Sequence, residues 1–501
     1  MKFKKNNNLY YKVRVSILFF FLLLTSCHDD FLEEKPESLL SPENFPQTAQ
    51  DADLVLGGIS STLTSSTFAN RSLILTAELS SDETVTRYSS GDRFNIDQFI
   101  YALDNQYIED IYSTCYTIIN QSNLLLKSLP DEEWTVPYIA AAKFYRAWMY
   151  AYLVRLYGPS IIRDQPTEVV KEDEVIVRAS EEEVYNFIIK DLEEAENNLP
   201  LTWTTSSHLD DGRPTRGAAK ILLAKMYLSM AGWPVNDDTK WELALNKAQE
   251  VIDLGIYSLE PNFSDLFLIA NKNGSEHILS IQMPETVGIL SIQARPRGGA
   301  IKEVGWYLFQ ASPYLMEAFN DNDSRKAGTF LTELVQLPYE TVPYTSFSRN
   351  STYPHTPAIN KYQDFGRDNI SENASRSSLG LIIFRYAEAF LIKAEAENEL
   401  NGPTDNAIAA INELRRRANT DEIESGLSKE QFRDIIRQEW SFELAYEIKR
   451  RFNLLRWGII DDVLSADERA TNGYQPFKKY FPIPQAEFDS GLDPDLQNPG
   501  Y

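Results

Sequence analysis

Apolar residues recur at helical spacing over most of this chain. The segment ASEEEVYNFIIKDLEEAENNLP, residues 179–200, places Val184, Phe187, Ile188, Leu192, Ala195 and Leu199 on one face. It opens on a Ser180 to Glu183 capping box and stops at Pro200, so the pattern predicts an amphipathic helix with a neighbour to pack against. TKWELALNKAQEVIDLGIYSL, residues 239–259, repeats the logic with Thr239 and Glu242 as the box, Ala244, Leu245, Ala248, Val251 and Ile252 as the face, and Gly255 as the stop. Three further stretches, YIAAAKFYRAWMYAYLVRLYG, RGAAKILLAKMYLSMAGW and FRYAEAFLIKAEAENELNG, interleave small with large residues at the same spacing and each run into glycine. Small residues let helices approach while aromatics fill the gaps between them. That is the style of tetratricopeptide helix pairs, without a strict 34-residue period; a generic helical bundle is the alternative.

The pattern breaks at the start and in the middle. Residues 1–14 hold Lys2, Lys4, Lys5, Lys12 and Arg14 and no acid, and Val15 to Leu24 is then an apolar run too short to span a bilayer. A basic start, a short apolar stretch and small residues before a break predict a secretory signal peptide. Leu24-Thr25-Ser26-Cys27 resembles a bacterial lipobox, which makes Cys27 a lipid anchor and the new N-terminus. The alternative is an ordinary signal peptide with an incidental cysteine. Residues 260–380 lose helical periodicity, showing short β-like runs between Gly and Pro and then a polar stretch over 338–380. Long irregular segments of this kind are disproportionately functional. The predicted organisation is a signal peptide (1–26), a lipidated acidic leader (27–46), a helical-repeat region (47–259), an irregular loop-rich lobe (260–380) and C-terminal helices with a proline-rich tail (381–501).

Charge and chemistry narrow the function. Cleavage after residue 26 removes five basic residues and no acid, taking the formal charge from −25 to −30. So acidic a surface argues against nucleic acid as a partner, since such binding depends on cations at the phosphates. Cys115, with Cys27 acylated, has no disulfide partner and reads as a small core residue. Four scattered histidines and the absence of HExxH, CxxC, GxSxG and Gly-rich phosphate loops remove the commonest sequence-visible zinc, redox, hydrolase and nucleotide sites, and no cofactor or metal is expected. DNDSR, 321–325, begins like a calcium loop but has Arg325 at a ligating position, and reads as a helix end. Most acids sit on helix faces or first turns. A carboxylate pair able to act on glycosides is not legible, because separation in space decides that chemistry. FRDIIRQEWSFELAYEIKRRFNLLRWG, 432–458, reads as one helix in which Glu439, Glu443 and Glu447 recur every fourth residue with Arg450 beyond: a structural ion-pair ladder or, as the alternative, a catalytic cluster.

Four stretches together resemble the SusD/RagB family: CHDDFLEEKP, the pair FRYAEAFLIKAEAENELNG…AIAAINELRRRAN, RQEWSFELAYEIKRRFNLLRWG, and the closing FPIPQAEFDSGLDPDLQNPGY. Weaker matches, including Asn123 in INQSNLLL, ASPYLMEAFNDNDSRKAG and KAQEVIDLGIYSL, extend the resemblance over nearly all of the mature chain. Ile448, Trp440 and Asn453 depart from the family's usual glycine, arginine and aspartate. The resemblance implies a mainly α fold, with tetratricopeptide-like helix pairs forming a superhelical scaffold and an inserted irregular lobe of short β-strands.

It also implies a non-catalytic lipoprotein on the outer face of the outer membrane, touching the membrane through its lipid anchor only. There it captures oligosaccharides for a SusC-like TonB-dependent transporter, two copies of each subunit forming the complex and the chain being monomeric once the lipid is removed. Asp29 and Asp30 resemble the surface-export signal. Loops 80–95 and 298–310 resemble the family's ligand-contacting regions, with Tyr88, Trp306 and Tyr307 as platforms for sugar faces and Asp82 and Arg93 as polar partners. The alternative for each aromatic is packing in the core or against the transporter; Trp203 and Trp233 rank second. The competing functions are a surface carboxylate-dependent glycosidase and a peptide- or protein-binding member of the same family.

Overall fold

The computed structural model describes residues 45–501 except 87–88, 168–175, 204–210, 295–305, 337–339, 344–356, 364–376 and 471–472. Cys27 and the leader therefore lie outside the described residues. Residues 46–501 form one unit.

Its first half is helical: α1 (Ala49–Leu63), α2 (Ser72–Leu79), the two-residue strand β1 (Thr84–Val85), α3 (Asp92–Asp97), α4 (Gln106–Ser128), α5 (Val136–Tyr157), α6 (Glu181–Asn198), α7 (Arg216–Ala231) and α8 (Lys240–Asp253). The capping box predicted for α6 is present, with Glu183 N–H donating to Ser180 Oγ and Ser180 N–H donating to Glu183 Oε2. The one predicted at Thr239 is not. Thr239 is already helical in its backbone and gives its hydroxyl to Asp237 Oδ1 at 2.6 Å, a local bond that outcompetes the cap.

Helices α4, α5, α6, α7 and α8 pack each on the next as antiparallel neighbours. α5 and α7 are buried nearly all round, which is why their sequences show aromatics and alanines on every face rather than a stripe. Small residues matter at the contacts: a Cβ at Gly217 would fall 2.1 Å from Tyr257 Oη, and one at Gly232 would fall 2.1 Å from the Arg456 carbonyl oxygen. Cys115 is fully buried, and burial pushes its thiol far above the ordinary range.

The stack then skips in sequence. Between α8 and its next partner come β2 (His277–Ile281), α9 (Leu290–Ala294), β3 (Gln310–Ala311), α10 (Pro313–Ala318), α11 (Arg325–Thr329), β4 (Phe330–Leu331), β5 (Glu333–Gln336), β6 (Glu340–Pro343), β7 (Ala358–Ile359) and β8 (Leu381–Arg385). The strands pair antiparallel two by two: β1 with β3, β2 with β8, β4 with β7 and β5 with β6. DNDSR closes the turn between α10 and α11, where Arg325 N–H and Nε both donate to Asp323.

Residues 381–385 are a strand, not the start of a helix; Ile382 pairs with Ser280 and Phe384 with Leu279 of β2, with a shift of register on each side of Leu279. Helices follow as α12 (Ala387–Asn401), α13 (Asp405–Arg417), α14 (Lys429–Leu444), α15 (Arg450–Arg456), α16 (Ile460–Ala466) and α17 (Gln485–Asp489). α12 packs on α8 and resumes the stack. The proline-rich tail closes the C-terminal end of α5, whose last carbonyls have no helical partner. Phe481 N–H reaches the Leu156 carbonyl at 2.8 Å and Asn498 Nδ2 reaches that of Tyr157 at 2.9 Å.

The charged stretch 432–458 is two helices, not one. After Leu444 the chain breaks through Tyr446 (φ 65°) and Ile448 (φ 60°) before α15 begins. A β-branched residue in the left-handed region carries strain. At Ile448 it is held by a bond from its N–H to Glu78 Oε1 at 2.5 Å.

Because of that break, Arg450 does not continue the ladder of acids; it turns to Asp82. The ladder itself is architectural. Glu443 meets Arg325 at 3.2 Å, Arg385 at 2.6 Å and also Arg417; Glu447 meets Lys361 at 2.7 Å and Arg385 at 2.8 Å; Glu439 meets Arg325 at 2.9 Å. Burial alone would raise the pKa of Glu447, but Arg385 and Lys361 hold it down to about 2.

Candidate ligand-binding surface

Residues 80–86 and 306–310, the described parts at the base of the two predicted loops, are brought together by a ladder that local sequence does not show. Thr84 pairs with Ala311 and Val85 with Gln310, and all four residues are buried. The antiparallel register sends residue 86 onward and residue 309 backward out of one end. Residues 83 and 312 meet at the other, where Ser312 N–H donates to the Glu83 carbonyl at 2.7 Å.

The ladder's surroundings are fixed by side chains. Arg469 donates from Nη2 to the Ser81 carbonyl at 2.7 Å, from Nη1 to Asp97 Oδ1 at 2.9 Å and to the Thr84 carbonyl. Asp97 Oδ1 also accepts Thr86 N–H at 3.0 Å, and Thr86 Oγ1 donates to the Leu308 carbonyl at 2.8 Å. Burial raises the Asp97 carboxyl, with Arg469 opposing. Loops leaving such a base start from a defined position.

At the 86/309 end, Trp306 is half-buried against the core and Tyr307 is buried with φ 52°. As placed, the Tyr307 ring offers no face to a ligand. Tyr88 lies outside the described residues. Arg93, on α3, donates from Nη1 to Tyr107 Oη at 2.7 Å and stacks 5.9 Å above that ring. Trp203 donates to the Pro214 carbonyl at 2.7 Å beneath Arg213, and Trp233 packs beside Tyr480.

At the 83/312 end lies an open cavity of about 320 Å³ lined by Asp82, Glu83, Tyr314, Ser441, Arg450 and Asp467 among others. Asp82 is held by Arg450 through two bonds of 2.7 Å. Glu83 is 3% exposed; its Oε1 accepts no hydrogen bond and has Arg450 Nε at 3.6 Å. Burial pushes its carboxyl up to about 7, Arg450 opposing and Asp82 adding to the rise.

Tyr314, 55% exposed, stands at this cavity and is the one aromatic more than about a third exposed among the described residues. Sequence reasoning passed over it: its ring is exposed because Pro313 starts α10 at the ladder's end, which no local pattern reports. The ladder thus brings Asp82 and Trp306 into one neighbourhood but at opposite ends.

The fold is shared with known proteins. Residues 316–501 match the SusD family model, and residues 30–228 match a model described as starch-binding associating with outer membrane. A SusD-like protein of Formosa agariphila is 29% identical over 98% of this chain and its own whole length. A SusD-like protein of Bacteroides ovatus is 25% identical over 87% of this chain and 80% of its own. Among solved structures, a SusD homologue from Bacteroides thetaiotaomicron superposes with a TM-score of 0.82 at 23% identity, covering 92% of this chain and 98% of its own. Surface glycan-binding protein A from the same organism, in complex with laminarihexaose, superposes with a TM-score of 0.73 at 20% identity over 90% of this chain and 99% of its own.

Proposed function

Because this chain belongs to the SusD family, we propose that it is a cell-surface lipoprotein, anchored through Cys27, that captures oligosaccharides and delivers them to a SusC-like TonB-dependent outer-membrane transporter without cleaving them. Neutral sugars offer CH faces and hydroxyl rims, so a binder needs an aromatic platform beside fixed polar groups on a rigid base. The observation that carries the reading is Tyr314 standing exposed at a cavity lined by Asp82, Glu83 and Arg450, at one end of a buried ladder whose other end leads to Trp306. In this reading Tyr314 and Trp306 face sugar rings, with Tyr88 on the loop beyond. Asp82 and Arg93 supply polar contacts, and Tyr307 reaches ligand only by turning out of the core. The binding of laminarihexaose by a protein of the same fold supports the choice of ligand class.

One observation favours a second reading, a carboxylate-dependent glycosidase. Glu83, with its carboxyl raised to about 7, lies beside the carboxyl of Asp82 at an open cavity, and two carboxyl groups are what such hydrolysis uses. Against it, Asp82 is already held by both guanidinium bonds of Arg450.

One experiment separates the two. Residues 28–501 keep the whole 46–501 unit and are titrated by calorimetry with plant, host and microbial oligosaccharides, each mixture being assayed for new reducing ends. Heat without new ends, reduced in Tyr314→Ala, supports capture. New ends lost in Glu83→Gln establish hydrolysis instead.

A further inference from the structure

A second buried charge cluster, remote in role from the ladder, is not balanced. A small cavity between α5, α7, α14 and α15 is lined by Arg155, Lys225, Ser229, Trp440, Lys449, Asn453 and Arg456, with Leu228 and Phe452 as apolar wall. All four cations are at least nine-tenths buried.

Among the described residues, two carboxylates serve them. Glu388 takes Lys225 and, at 3.3 Å, Lys449. Glu395 takes Arg456 Nη2 at 2.8 Å and is further occupied by Trp440 Nε1 at 2.8 Å and Trp457 Nε1 at 2.7 Å. Arg155 meets no carboxylate. Its Nε donates to the Ala151 carbonyl one turn back, and its guanidinium lies 4.2 Å from the Phe452 ring centroid and 5.5 Å from that of Tyr152, both contacts with ring faces and not with acids.

Asn453 gives its oxygen to Arg456 Nε at 3.1 Å, which leaves only amide N–H groups to offer the cavity. The lining is therefore donor-rich and positive. Such a surplus is costly away from water unless something negative sits within it. Burial pushes Lys225 down to about 7, with the charges of Lys449 and Arg155 adding to the fall and Glu388 opposing it.

We propose that this cavity binds one small monovalent anion, of the size and chemistry of chloride, coordinated by the terminal amino groups of Arg155 with Lys225, Lys449 and the Asn453 amide around it. The free space has a volume of about 20 Å³ for the centre of a water-sized particle, enough for one such particle and too little for a phosphate or a sugar. A water molecule would fit by size but would leave the Arg155 guanidinium without a negative partner. The bound anion joins α5, α7 and α15 at a point where no side chain among the described residues supplies the missing negative charge. The site is distinct from the proposed glycan surface and does not depend on it.

Crystals of residues 28–501 grown or soaked in sodium bromide, with data collected at the bromine absorption edge, test this directly. An anomalous peak in the cavity within hydrogen-bond distance of Arg155 is the expected result. No peak there, with water density in its place, overturns the proposal. In solution, melting is followed as bromide or chloride replaces gluconate, an anion too large to enter, at constant ionic strength. A rise of roughly 2 °C is expected for the natural chain, and no halide dependence for Arg155→Met. Equal halide dependence in both proteins also overturns it. Should Arg155→Met fail to fold, the diffraction experiment on the natural chain decides alone.

Discussion

Two clusters of acids in this chain look alike in sequence and differ in physics. On α14 and just beyond it, Glu439, Glu443 and Glu447 are at most 2% exposed and each is met by at least two basic side chains, which hold the carboxyls of Glu443 and Glu447 below the ordinary range. At the ladder's end, Glu83 has one oxygen without a hydrogen bond, its carboxyl is pushed up to about 7, and an open cavity and an exposed tyrosine stand beside it. Matched, closed charge builds architecture; incompletely matched charge beside open space is where a ligand's polar groups gain most by arriving. Density of charge along the chain identifies neither.

That contrast breaks most sharply at Arg385, which serves Glu276, Glu443 and Glu447 with no exposure to solvent. Arg385→Met leaves buried carboxylates unpaired and costs about 3–5 kcal/mol by urea unfolding, with glycan affinity unchanged in whatever fraction remains folded. A cost under about 1 kcal/mol would mean the cluster is not the girder described. Tyr314→Ala is the opposite case. Its stability changes by less than about 0.5 kcal/mol, while oligosaccharide affinity falls about tenfold, read by calorimetry.

Acid and base titration separates the clusters further. Glu447 sits at about 2 in the fold against 4.5 in the free side chain, so its contribution is fully present above the free value and is lost as pH falls toward 2. Glu83 and Glu78 run the other way. Burial raises them to about 7 and about 8, so between 4.5 and those values the fold keeps protons that the unfolded chain has released, and stability declines as pH rises. Glu78→Gln with Glu83→Gln flattens that decline between about pH 5 and 8 and leaves the acid limb in place; an unchanged slope in thermal melts across that window contradicts the assignment. A smaller effect belongs to Ile448→Gly. Relief of a left-handed backbone, about 1–2 kcal/mol, offsets part of the about 2–5 kcal/mol lost with a buried isoleucine side chain. The net loss in denaturant unfolding is therefore smaller than for truncation of a buried isoleucine whose backbone is unstrained.

Much of the scaffold was legible because helices write themselves locally. The faces of α6 and α8, the Ser180 cap, the small-and-large pattern of α5 and α7 and the closing FPIP…QNPGY stretch each follow from short-range pattern or from family resemblance. What failed did so where distant residues decide. Nothing near Leu444 announces a helix break fixed by Glu78, 370 residues away along the chain from Ile448. The strand over 381–385 is set by its partner β2 more than by its own helical spacing. For the site, resemblance named both loops, but the ladder joining them is two residues long on each side and more than 220 residues apart in sequence. Tyr314 and the Arg469 staple belong to that long-range geometry and leave no local mark.

The central claim is that ligand lands on the ladder and not on the charged architecture. Hydrogen–deuterium exchange of residues 28–501 with and without a saturating oligosaccharide identified by the calorimetric panel tests it most directly. The account predicts slowed exchange in residues 80–97 and 306–318, with peptides from the α4–α8 stack unchanged and any change in α14 and α15 limited to the cavity-lining Ser441 and Arg450. Protection confined to α14 and α15, or to the face of the α4–α8 stack, would contradict it.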